Sequence, residues 1–196
     1  METIGILAGS GWASGINLYL VALLLGVFGR LGLADIPDVL MRVDVMVAAG
    51  VLVLAEFVAD KIPYLDNAWD AIHTVVRPLG AAVLGVLLAG QSVSMGAVLG
   101  GVITAALALN AHSAKATTRL AVNASPEPVS NVSLSVVEDL SVAGLVALAI
   151  SYPLVTVIVV AVLVIGAAAL MFFLWRTARR TWRRVAGRLR TLTQPS

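Results

Sequence analysis

Cysteine is absent from this chain of 196 residues. Disulfides, thiolate metal sites and cysteine nucleophiles are therefore excluded. Charge is scarce as well: 12% of the residues are Asp, Glu, Lys or Arg, against about 25% in an ordinary soluble domain. Histidine occurs twice and aromatic residues make up 6%. No basic leader precedes the first apolar segment, where Glu2 is the sole charge, so that segment reads as a retained span and not as a signal peptide. What fills the chain instead is Leu, Val, Ala and Gly, with 60% hydrophobic residues and a mean hydropathy of +0.98. A chain of 20.3 kDa has no aqueous core large enough to hide this much apolar surface. The composition predicts an all-α, polytopic helical membrane protein.

The isoelectric point of about 9.4 would suit nucleic acid. The distribution argues otherwise, because seven of the 13 basic residues fall between Arg176 and Arg190, directly after an apolar run. Arg176, Arg179, Arg180, Arg183 and Arg184 alternate there with Trp175, Trp182, Val185 and Leu189. That pattern predicts a cationic amphipathic helix at the inner membrane surface, in contact with anionic lipids.

Six spans are expected, near 8–29, 43–62, 68–90, 93–112, 136–152 and 155–175. The last break is required by length. A single helix over 136–175 would be about 60 Å long, twice the hydrocarbon core, so a hairpin is placed at Pro153. The predicted organisation is one transmembrane domain over residues 1–175, in halves of about 1–90 and 91–175, followed by a basic cytoplasmic tail at 176–196. Gly11-x-x-x-Gly15 opens the first half and Gly96-x-x-x-Gly100 the second. Ala49–Ala55 and Ala143–Ala149 agree at four of seven positions. Together these suggest a 3+3 inverted repeat of the kind found in secondary transporters. At that offset Glu56 falls on Ile150 and Asp60 on Leu154, so an acidic site would be carried by the first half alone.

Six spans put both termini on one side. With that side cytoplasmic, eleven basic residues lie inside against two outside, Arg30 and Arg42, as the positive-inside rule expects. The predicted location is the bacterial inner membrane.

The chemistry concentrates in 23 residues, Glu56 to Pro78, which hold Glu56, Asp60, Lys61, Asp66, Asp70, His73 and Arg77. Charge at membrane depth is costly and marks a candidate site. Glu56 and Asp60 are four residues apart and share a face. Asp66, Asp70, His73 and Arg77 follow at intervals of 4, 3 and 4, one stripe of an amphipathic helix. This helix either lies at the interface or forms the polar half of the third span, bent at Pro78. The second is favoured, because Leu79–Ala89 is too short to cross alone.

In the first span, Gly11 and Gly15 with Ser10 and Ser14 form a small-residue stripe. A helix-packing face is the ordinary reading. The sharper one is an unwound segment that exposes backbone groups to a ligand. Asn17 is expected to form an interhelical hydrogen bond. Glu138 and Asp139 are read as capping charges at the start of the fifth span. The segment 122–133 is read as a flexible loop, and its two Asn-x-Ser sequences as chance matches.

Gly11-Trp-Ala-Ser-Gly-Ile-Asn-Leu-Tyr19, Glu56-Phe-Val-Ala-Asp-Lys-Ile-Pro63 and Asp66-x-x-Trp69-Asp70-x-x-His73-x-x-x-Arg77-Pro78 resemble a bacterial membrane family catalogued as domain of unknown function 4126. The resemblance covers roughly residues 5–175. It implies an integral inner-membrane protein and carries no reaction, substrate or cofactor. Glu56-x-x-x-Asp60-Lys61 also resembles the Glu-x-Gly-Asp-Lys motif of small 3+3 cation exchangers, one residue longer and without the glycine; this is analogy alone.

The expected function is a small secondary transporter or permease, proton- or cation-coupled, with its site between spans two and three. Glu56, Asp60, Asp70, His73, Arg77, Asn17, Gly11 and Gly15 are the candidate residues. Its cargo is an unidentified small solute, ion or lipid headgroup. The alternative is a membrane scaffold or regulatory subunit in which the charged cluster is a structural set of salt bridges. An enzyme is not expected, since no Ser-His-acid or His-Glu-x-x-His arrangement is present. No cofactor is implied. A divalent site from Glu56, Asp60 and His73 is chemically open, with spacing that is not diagnostic. The small-residue faces suggest a homo-oligomer.

Overall fold

The computed structural model describes residues 2–90, 94–123 and 128–192. All regular structure among them is helical. In chain order the elements are α1 (Glu2–Arg30), α2 (Asp38–Met41), α3 (Val43–Ala59), α4 (Pro63–Ala89), α5 (Met95–Asn123), α6 (Pro128–Ser151) and α7 (Pro153–Leu192). Five segments are long and apolar enough to cross a membrane: Glu2–Arg30, Leu65–Ala89, Met95–Leu120, Val129–Ser151 and Pro153–Thr177. The segment read as the second span is α3, which at 17 residues is about 26 Å long and is not among the five.

The bundle is apolar outside and polar inside. Val47, Val51, Leu54 and Val58 on α3 are exposed, as are Ile72, Val75, Leu79 and Val83 on α4 and Ile158, Val162, Ile165 and Phe173 on α7. Aqueous proteins do not carry contiguous apolar faces of this size; lipid tails solvate them. Only 11% of the α7 span is buried. At the centre, α1 packs against α4, α5 and α6. Its inward face is made of Gly5, Gly9, Ser10, Gly11, Ala13, Ser14 and Gly15, small enough for backbones to approach closely. Ser10 and Ser14 hydroxyls donate back to the carbonyls of Ile6 and Ser10, so they need no partner from another helix.

The pair α4–α5 shows the same device. A Cβ added to Gly85 would lie 2.5 Å from the Gly100 carbonyl oxygen. Thr104 sits beside this crossing, and its hydroxyl donates to the Ala81 carbonyl at 2.7 Å. Gly96 is exposed, so Gly100 and Gly101, not the expected Gly96-x-x-x-Gly100 pair, make the crossing. Span four therefore offers a packing face here and no open backbone.

Several boundaries differ from expectation. Residues 64–77 belong to α4, which runs unbroken through Pro78; the interfacial alternative is set aside. The expected turn at 91–94 lies mostly outside the described residues. The expected loop at 122–133 is helical up to Asn123 and again from Pro128. Asn131 is buried in α6, which removes that Asn-x-Ser match as a surface site. The break before Pro153 is where length required it, with Tyr152 as the single joining residue. The basic tail is not a separate element, since α7 continues for 40 residues to Leu192.

Candidate functional site

The first span is broken. Asn17 has φ −147° and ψ 95°, extended backbone inside an otherwise helical segment. Its side-chain oxygen accepts from the Leu20 amide at 2.9 Å, which is the geometry of an N-cap. Asn17 thus starts a second helix, residues 18–30, and ends a first, residues 2–16. The amide nitrogen of the same side chain donates to Asp139 Oδ1 at 3.0 Å, the interhelical bond expected of it. Because the helix stops here, carbonyls at the end of its first half are free to accept from elsewhere. They accept from cations: Arg77 reaches the Gly15 carbonyl at 3.4 Å and Lys115 the Ile16 carbonyl at 3.1 Å. Positive charge at a helix C-terminus is electrostatically favoured. The stripe of Ser10, Gly11, Ser14 and Gly15 is helical and packed, as the ordinary reading expects, and the helix breaks just after it, at Asn17. Gly15 also allows close approach, since an added Cβ would lie 2.6 Å from Ala111 Cβ and 2.8 Å from the His112 nitrogen. Gly11 has the ordinary role, packed on Thr104.

Around this break the side chains form a ladder of alternating charge. Arg77 pairs with Asp70 at 3.1 Å and with Glu56 at 2.7 Å. Glu56 also meets Lys115 at 3.3 Å, and Lys115 meets Asp60 at 3.1 Å. Asp60 accepts from Arg119 at 3.1 Å, through the same oxygen that faces Lys115. Arg119 closes the ladder on Glu138, with Nε 3.2 Å from Oε1 and Nη2 on Oε2. Lys115 lies 3.6 Å from that same Oε2. Arg119 also donates to the Asp60 carbonyl at 2.9 Å, at the C-terminal end of α3. Glu56, Arg77 and Arg119 are completely buried. Removing one partner from such a pair leaves an uncompensated charge and costs about 3–5 kcal/mol.

Both histidines are anchored. Arg77 can only donate, so the 2.6 Å contact to His112 Nδ1 makes that nitrogen an acceptor. Its proton then sits on Nε2, which donates to Thr74 Oγ1 at 3.0 Å, while the Thr74 hydroxyl donates to the Asp70 carbonyl at 3.0 Å. His73 donates from Nδ1 to the Trp69 carbonyl at 2.8 Å and stacks on the Trp69 ring at 4.7 Å. Its Nε2 faces the Tyr19 hydroxyl at 2.9 Å. Among the described residues, no three His, Asp or Glu side chains converge on a metal position, so the Glu56/Asp60/His73 arrangement is not assembled.

Of the candidate residues, Glu56, Asp60, Asp70, Arg77, Asn17 and Gly15 come together. His73 is adjacent, and Gly11 stands apart. Lys61 lies outside the ladder: its ammonium donates to the Phe57 carbonyl at 2.8 Å and sits over the Phe57 ring. Partial burial lowers its pKa from the ordinary lysine value.

Two expectations are corrected. The site is not carried by the first half alone, since His112, Lys115, Arg119, Glu138 and Asp139 all enter it. Glu138 is not a helix cap either. Helix α6 starts at Pro128, so Glu138 lies ten residues inside. The intervals of 3 and 4 between His112, Lys115 and Arg119 match the 4, 3, 4 of the acidic stripe on α4. That spacing places His112, Lys115 and Arg119 on one helix face, which alone does not separate an inward face from a membrane-edge anchor.

The family model for DUF4126, a domain of unknown function, matches residues 4–175. The chain belongs to this family. The match covers the broken helix and every rung of the ladder, and stops where the arginine-rich end of α7 begins. No curated protein and no solved structure matches the chain. In this DUF4126 member, then, the site has to be read from its own geometry.

Proposed function

We propose that the chain is a small secondary transporter or permease of the bacterial inner membrane, coupled to protons or a cation. The observation that carries this reading is the meeting of a discontinuous helix with a buried ionic ladder. Broken helices at membrane depth are tolerated where they line a polar path, and they carry the substrate and ion sites of transporters. The ladder also has more acid than base: Glu56, Asp60, Asp70 and Glu138 face Arg77, Lys115 and Arg119. Asp139 adds a fifth carboxylate beside Asn17. A buried surplus of negative charge is relieved by a proton or a cation.

On this reading α3 is the second of six spans, short and with exposed apolar residues along its length. Both termini are then cytoplasmic. Arg77, Lys115 and Arg119 belong to the buried ladder and no longer count toward orientation, which leaves eight basic residues inside against two, the same bias. The arginine-rich end of α7 contacts anionic lipid: Phe172, Trp175, Arg176, Arg179, Arg180 and Arg183 line a cleft of about 270 Å³. The Arg184 side chain lies outside the described set. No enzymatic reaction is proposed. The exposed faces of α3 and α7 are where lipid or a second copy packs.

A scaffold is the second reading, favoured by one observation: Arg77, Lys115 and Arg119 each have at least two carboxylate partners, as a purely structural cluster would. Proteoliposomes separate the two. With a pH gradient imposed and cations or organic anions screened as cargo, wild type moves solute or protons. Glu56→Gln, checked for an unchanged gel-filtration profile, loses about tenfold or more of that flux. Equal flux in a folded Glu56→Gln variant would refute the transporter reading.

A further inference from the structure

The contacts of α1 do not advance along the bundle in one direction. Helix α4 runs from Pro63 to Ala89 and serves as a ruler. Ile6 shares a cavity with Leu88, and the Gly15 carbonyl accepts from Arg77, so this part of α1 moves from the end of α4 toward its middle. After the break at Asn17 the direction reverses. Leu18 packs on Gly80, and Asp35 lines the same cavity as Leu88. The C-terminal end of α6 tells the same story. Gly5 packs against Pro153 and Gly9 against Ala149, while Phe28 and Leu33 line a cavity with Ala147, Ile150 and Ser151. Length alone excludes a single crossing. A straight helix of 29 residues is about 44 Å long. Yet Glu2, Thr3 and Ile6, at the start of α1, meet Asp35, beyond its end, in one cavity of about 150 Å³.

We infer that α1 is a re-entrant helical hairpin: it enters the bilayer from the face of Arg30 and Arg42, turns at Asn17 beside the ionic ladder, and leaves by the same face. Its limbs, residues 2–16 and 18–30, are about 22 Å and about 20 Å long, each too short for a hydrocarbon core of about 30 Å. Non-helical backbone at that depth is tolerated where protein encloses it. Here it is enclosed: 56% of the apolar window of α1 is buried, against 11–39% for the other four candidate spans. The tip has a definite task. It brings the Gly15 and Ile16 carbonyls to Arg77 and Lys115, the Asn17 amide to Asp139 and the Tyr19 hydroxyl to His73. The ladder is thus held from the Arg30–Arg42 face by the hairpin itself. Helices α3 to α7 keep the orientation given above. The six-span count changes in one respect: Glu2 stands on the face of Arg30 and Arg42, opposite the arginine-rich end of α7. The hairpin holds whether or not the chain moves a solute.

Absence of cysteine permits a direct test on the full chain in bacterial membranes. Thr3, Asp35 and Arg180 are all exposed. Single Thr3→Cys, Asp35→Cys and Arg180→Cys variants are treated with a membrane-impermeant maleimide in intact cells and again after lysis. Thr3→Cys and Asp35→Cys should label from one face and Arg180→Cys from the other. A Thr3→Cys variant that labels with Arg180→Cys and not with Asp35→Cys overturns the hairpin. Reversal of all three would turn the protein over in the membrane and leave the hairpin standing. If Thr3→Cys does not reach the membrane, a protease-cleavable peptide fused ahead of Met1 replaces it. Cleavage is expected from the Asp35→Cys face, and cleavage from the Arg180→Cys face overturns the proposal. In detergent, a short bifunctional maleimide should link Thr3→Cys to Asp35→Cys within one chain and leave the Thr3→Cys, Arg180→Cys pair unlinked. The opposite pattern would also sink the hairpin.

Discussion

The two ends of the α4–α5 pair solve opposite problems. At one end Gly85, Gly100 and Thr104 bring the helices together with almost no side chain between them, and every polar group there is answered locally. At the other end Asp70, Arg77, His112, Lys115 and Arg119 fill the same interface with charge, and they reach α1, α3 and α6 for partners. The first end is sufficient for association in lipid, where close backbone contact is the main attraction. The ionic end adds desolvation cost that packing alone would not require. A structural explanation covers the first end completely. It leaves the second with buried oxygens that have no hydrogen-bond partner among the described residues, which supports the proposed transport role.

Four substitutions would break or sharpen this contrast. The largest effect is expected from Arg77→Met, which strands Asp70, leaves Glu56 with Lys115 as its one cation and should cost about 3–5 kcal/mol. Pairing it with Asp70→Leu, which removes the stranded carboxylate, should recover much of the loss in a double-mutant cycle of unfolding in mixed micelles. If the double variant is as unstable as the sum of the singles, the pair is not coupled. Next is Gly85→Val at the packed end. Its side chain meets the Gly100 carbonyl and Thr104, an overpacking cost of about 1–3 kcal/mol. Stability should fall while the Arg77–Asp70 coupling measured in the same background persists; joint loss would show that the two ends act as one unit. Asn17→Ala removes a cap worth about 1 kcal/mol and the bond to Asp139. Hydrogen exchange should speed up in the first turn of residues 18–30 and stay unchanged at Gly85. Last, Arg42→Gln breaks an exposed pair with Asp44, whose side chains are 63% and 64% accessible, and the thermal midpoint should not move.

The sequence made the helices, the joint at Pro153 and the acidic stripe on α4 legible, because each rests on local spacing and length. Asn17 was legible as a polar residue needing a partner. Its role as the point where α1 restarts was not, since a single cap inside an apolar run has no periodic signature. Lys115 and Arg119 were visible as charges but resembled membrane-edge anchors, which have the same composition. Only the arrival of α3 and α6 beside them distinguishes a rung from an anchor. Glu138 was misplaced by the position of one helix start. That boundary was set by hydropathy, which begins later than the helix itself.

The ladder also bears on how the chain is made. Synthesis delivers α3 and α4 first, with Glu56, Asp60 and Asp70 against the single cation Arg77. Helix α5 then brings two positive charges, and α6 brings Glu138, the final rung. Until α6 enters the bilayer, Arg119 has only part of its carboxylate complement. A nascent chain halted after α5 therefore lacks Glu138, the rung that completes the partners of Arg119.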